Sequence, residues 1–176
     1  MASVGYGDYL YGLRDLKITN MAGTVQEDLD AAQELNFTPE LTQAEQRGDD
    51  VVKSAISFLT GGSATITSGR LTTAALAIMW GKSVTVAGSS PNETATLQFN
   101  AGDAPAYFKV YGLAYDDDAG DIHIYLGKCK IVGGGAIQLA DGSYLTHGLE
   151  LKVLDDGTNG VWKMIQHETR TTLPTS

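Results

Sequence analysis

Along most of this chain, apolar and polar residues alternate with a period of two. Leu13 to Thr19 reads LRDLKIT, with Leu16 and Ile18 on one side and Asp15, Lys17 and Thr19 on the other. That is the pattern of a half-buried strand. Later runs, SVTVAG, ETATLQF, AYFKVYGLAY, DIHIYLGKCKIV, YLTHGLELKVL and GVWKMIQHE, are also strand-like. SSPN, NAGDAP, DDDAG, GGGAIQLADGS and DDGTNG separate them, and each has the composition of a turn. Short strands at roughly 8–12-residue spacing predict a mainly β sandwich or barrel. The segment NMAGTVQEDLDAAQELN is acidic and mixed, and it admits either a long loop or a short helix.

One stretch breaks the period. Leu71, Ala74, Ala75 and Ile78 recur at helical spacing, which predicts a single flanking helix at about 70–80. Ser68 or Thr72 can cap its start, and Gly81 stands where a helix stops. Leu76, Ala77, Met79 and Trp80 make its other side apolar too, so it belongs in an interior or between chains.

A different anomaly lies between Thr38 and Leu59. Thr38, Glu40, Thr42, Ala44 and Gln46 alternate with Pro39, Leu41, Gln43, Glu45 and Arg47, and both faces are largely polar. Gly48, Asp49 and Asp50 supply a turn. The return from Val51 to Leu59 is richer, with Val52, Ile56 and Phe58 on one face. A long β-hairpin at about 37–60 follows.

Composition narrows the function. The 176 residues suit one domain, with residues 1–10 as an N-terminal arm, 11–170 as the body and 171–176 as a tail. A net charge of −9 argues against ordinary DNA binding, which needs Lys and Arg at phosphates. No apolar run approaches the ~18 residues of a membrane span. The first ten residues lack the basic-then-apolar order of a secretory signal. The single cysteine, Cys129, allows no internal disulfide and reads as a small strand residue.

Chemistry-bearing motifs are sparse. His123, His147 and His167 show no HxxxH or HExxH spacing, and no P-loop, GxSxG elbow or GxGxxG occurs. Neither a catalytic residue, a metal nor a cofactor is expected. Asp116, Asp117, Asp118 and Asp121, and Asp155, Asp156 and Asn159, are oxygen-rich but do not fit an EF-hand; solvated turns account for them. Arg47-Gly48-Asp49 and Gly48-Asp49-Asp50 match adhesion and polymerase tripeptides only by their letters.

The order of segments, more than any one of them, carries a likeness. GLRDLKITN, VQEDLDAAQELNF, RGDDVV, LTTAALAIMWGKSVTVAGSSPNETATL, YFKVYG, DIHIYLGKCKIV and LDDGTNGVWKMIQHET resemble, over roughly residues 10–170, the major tail protein family of siphophages. The resemblance implies a non-enzymatic virion protein: hexameric rings stacked into a tail tube that delivers genome DNA. Its implied partners are further copies of the chain, a tape measure protein in the lumen, and tip or baseplate and terminator proteins. DNA would pass without specific binding. Assembly in the host cytoplasm follows.

A hairpin polar on both faces suits the wall of a water-filled bore. Glu40, Thr42, Gln43, Glu45 and Gln46 are the candidate lumen residues, and Val51 to Leu59 would press its apolar face on the ring body. Tyr6, Tyr9, Tyr11, Arg47, Asp49, Asp50 and Trp80, with the tail, are candidates for contacts between subunits or rings. The alternatives are a single-ring tail terminator or head–tail joining protein, or a calcium- or carbohydrate-binding β-module.

Overall fold

The computed structural model describes residues 10–48, 51–116, 120–135, 141 and 146–174. Tyr6, Tyr9, Asp49 and Asp50 lie outside these residues. At Tyr11 and Arg47 only the backbone is described.

The chain is mainly β with one helix, as its alternation predicts. The strands are β1 (Leu10–Asn20), β2 (Gln26–Asp28), β3 (Ala32–Gly48), β4 (Val51–Ser68), β5 (Thr85–Ala87), β6 (Thr94–Thr96), β7 (Phe108–Asp116), β8 (Asp121–Gly134), β9 (His147–Leu154) and β10 (Trp162–His167). The helix α1 spans Thr73–Trp80. The main sheet runs β2-β1-β7-β8-β9-β4-β3, with β10 also paired to β8. β5 and β6 form a separate, exposed two-stranded ribbon.

β8 carries a bulge between its Val110–Leu126 and Phe108–Cys129 pairs, and there β9 replaces β10 as its second partner. Before it, Asp121 to Leu126 pairs with β7 on one side and β10 on the other. After it, Lys128 to Gly134 pairs with β9. Between Leu126 and Cys129 the inward parity changes, and both residues are fully buried. β1, β7 and β10 thus form one layer with the start of β8. β9, β4 and β3 form the other with its end.

The layers meet across Leu16, Ile18, Phe108, Val110, Leu126 and Cys129 on one side and Ala64, Ile66, Leu149, Leu151 and Val153 on the other. Leu35 of β3 lies against Gly112 of β7, where a Cβ would stand 2.8 Å from Leu35 Cδ2. The Phe37 and Trp162 rings close the far side at 5.8 Å. Cys129 is fully buried in this core, and burial pushes its thiol well above its ordinary range.

The helix has both predicted ends. Thr72 Oγ1 accepts from the Ala75 amide at 3.0 Å and donates to Glu27 of β2 at 2.8 Å. Gly81, left-handed at φ 62°, donates to Ile78, while the Lys82 amide donates to Ala77. Ala75, Ile78 and Met79 join the core.

The mixed segment after β1 is neither a long loop nor a helix. It holds a turn, the short edge strand β2 and the start of β3. Its β2 residues alternate between exposed and half-buried without an apolar face, so no period reveals the strand.

Candidate functional site

The hairpin β3–β4 has two halves. In the first, Ala32 to Pro39 pairs with Gly62 to Ser68, and the same β4 residues pair with β9. In the second, Glu40 to Gly48 pairs with Val51 to Gly61, and no other described strand pairs with either. A two-stranded arm therefore leaves the body, and among the described residues no strand pairs along either of its outer edges.

The departure point is set by close packing. A Cβ on Gly62 would meet the Phe37 ring at 2.3 Å, so only glycine lets β4 pass under it. Pro39, opposite Gly62, removes a donor from β3, which only an edge strand tolerates. At the next step Thr60 is the extra residue of a bulge between the Glu40–Gly61 and Leu41–Leu59 pairs.

Register then divides the side chains. Thr42, Ala44 and Gln46 lie opposite Phe58, Ile56 and Ser54 on one face. Leu41, Gln43 and Glu45 lie opposite Leu59, Ser57 and Ala55 on the other. Leu41 (59%), Ile56 (62%), Phe58 (51%) and Leu59 (41%) are all exposed. Ile56 and Phe58, the described apolar side chains on their face of β4, are thus turned to solvent. Neighbouring exposed apolar groups such as Ile56 and Phe58 mark a surface that binds something.

The five residues expected along a lumen do not share one environment. Gln43 and Glu45 form a polar strip with Ser57. Thr42 and Gln46 share the face of Ile56 and Phe58. Glu40 turns back to the body, where its carboxylate pairs with the Lys152 ammonium of β9. The sequence shows the alternation of each strand but not the bulge that fixes their relative parity. From Glu40 to Gly61 the sequence holds four carboxylates and two bases, so the arm is weakly acidic.

Trp80 stands apart from the arm. It packs on the core edge, T-stacked on Phe99 at 5.1 Å, beside a cavity lined by Leu71, Leu76 and Ile131. The tail is tied down as far as it is described: Leu173 is 1% exposed. No family model matches this chain, and no curated protein matches it.

The acidic turns have work inside the chain. Asp156 Oδ1 accepts from the Thr158 and Asn159 amides at 2.9 and 2.6 Å, and Oδ2 accepts from the Tyr125 hydroxyl at 2.7 Å. Desolvation pushes the Asp156 carboxyl up, but the Asn159 amide, the Tyr125 hydroxyl and the Thr158 amide outweigh it and hold it well below the usual range. Burial first, and then Asp156, pushes the Tyr125 phenol up. Asp155 and Asp116 likewise accept from Gly157 at 2.7 Å and Gly120 at 2.9 Å. Among the described residues no helix is long and apolar enough to cross a membrane.

Proposed function

We propose that this chain is a structural, non-enzymatic subunit that closes into rings through its projecting arm, and that the rings stack into a tube of the siphophage tail type. The observation that carries this reading is the arm itself: two strands that no other described strand flanks, with apolar groups facing solvent, on a body with a core of its own. An open edge is satisfied by pairing with a strand of another copy. A repeated head-to-tail contact of this kind closes into a ring when the rotation allows it.

On this reading Ile56 and Phe58 seat on a neighbour, while Leu41 and Leu59 lie at the root of the opposite face. The Gln43–Glu45–Ser57 strip faces the water-filled bore. Six copies, each at −9, make the ring strongly anionic. DNA then meets like charge, which acts within about 8 Å of the wall at physiological salt. The lumen would pass genome DNA and hold a tape measure protein beforehand, in a virion assembled in the host cytoplasm.

Negative-stain microscopy of the purified chain, under conditions that favour polymerisation, tests this. Rings and tubes are expected. A strict monomer at high concentration would overturn it, and single closed rings that never stack would instead identify a terminator or joining ring.

A further inference from the structure

On the outer face of the first layer, the pairing of β10 with β8 sets His167 directly opposite Asp121 and Ile165 opposite His123. Asp121, His123 and His167 thereby share one side of the sheet. One donor atom from each lies within 4.8 Å of the other two. His123 Nε2 is 3.5 Å from Asp121 Oδ2, and the two imidazole rings stand 4.6 Å apart, tilted by 58°.

The carboxylate is unusual. Asp121 is 0% exposed and His123 7%. Oδ2 accepts from the Thr171 amide and, at 3.3 Å, from the Thr171 hydroxyl, which also lies 3.2 Å from His123 Nε2. Oδ1 is buried with no hydrogen-bond partner. Burying a carboxylate is costly unless a cation and hydrogen bonds compensate it. Among the described residues its one basic neighbour at ion-pair distance is His123.

We propose that Asp121, His123 and His167 bind one divalent transition ion of the zinc type. Two borderline imidazole nitrogens with one carboxylate oxygen make a ligand set that suits zinc. They do not suit calcium, which needs six to eight oxygens. Zinc bonds of about 2.0–2.1 Å give a tetrahedral edge of about 3.4 Å. The Asp121–His123 spacing already has that length. His167, half-buried at the end of β10, completes the set by a ring rotation, and the Thr171 hydroxyl or a water takes the fourth position. The ion supplies the charge that the buried carboxylate lacks. It also clamps the C-terminal segment, which Thr171 ties to Asp121 and Leu173 anchors in the body.

The test uses the full chain without a histidine tag, stripped with EDTA and titrated with Zn²⁺ by calorimetry and with Co²⁺ by visible absorption. One ion per chain is expected, with an intense tetrahedral cobalt spectrum and a zinc-dependent rise in Tm. His167→Gln should weaken binding by more than about 100-fold, beyond the value of an outer hydrogen-bond partner. Thr171→Val should weaken it less. Circular dichroism in EDTA checks that each variant is folded. Because His167 is only half-buried, its variant decides the matter even if Asp121→Asn does not fold. Absence of stoichiometric zinc, or equal zinc affinity in His167→Gln, would overturn the proposal.

Discussion

Ile66 and Ile56 belong to the same strand, yet Ile66 is fully buried and Ile56 is 62% exposed. At Ile66, β4 has β3 on one side and β9 on the other, and the opposite layer lies across the core. At Ile56 it has β3 alone. The inner half of the hairpin is held by the fold. The outer half has a strand's hydrogen bonds along one edge only, and isolated two-stranded ribbons are marginal in water. A sequence that keeps Leu41, Ile56, Phe58 and Leu59 there carries apolar surface that the chain's own stability does not use.

Deleting residues 42–58 and joining Leu41 to Leu59 through a short Asn-Gly turn should leave a folded body and abolish assembly. Calorimetry and electron microscopy read the two outcomes, and loss of the body's cooperative transition would show that the arm belongs to the fold.

Point substitutions separate the buried half of β4 from its exposed half. Ile66→Ala should cost about 2–5 kcal/mol in urea unfolding, the range for a buried aliphatic truncation. Ile56→Ala should cost the monomer less than about 0.5 kcal/mol, while reducing assembly in sedimentation.

A smaller effect belongs to the body alone. Asp156→Ala should cost about 1 kcal/mol at neutral pH, since its hydrogen bonds are partly exposed. The folded carboxyl lies below its unfolded value. Its contribution is therefore complete above the ordinary range near ~3.9 and fades as pH falls toward the lower folded value. The gap between wild type and variant in thermal melts should narrow as the pH drops below that range.

The smallest is at the root of the arm. Lys152→Met removes the partner of Glu40, and both side chains are about two-fifths exposed. A loss of about 0.2–1 kcal/mol is expected in urea titrations.

Much of the body is legible in the sequence because its strands are half-buried. β9 alternates buried and less buried residues along its whole length, and Thr72 and Gly81 mark the helix by side-chain and backbone chemistry alone. β2 is illegible, being three edge residues with no apolar face. The start of β3 at Ala32 is hidden in the same polar run. Pairing order is illegible for another reason: nothing local says that β10 lies beside β8. Asp121 and His123 therefore read as strand residues far from His167, and only register brings them together. The bulge at Thr60 is equally silent, and it is what sets Gln43 beside Ser57 and Thr42 beside Phe58.

β4 runs unbroken from Val51 to Ser68, so whatever grips its outer end pulls lengthwise on a ladder shared with β9. A ladder loaded along its axis does not peel one rung at a time; its rungs must yield together. A load placed on the arm would thus pass, beyond the bulge at Thr60, into the β4–β9 ladder at the subunit's centre.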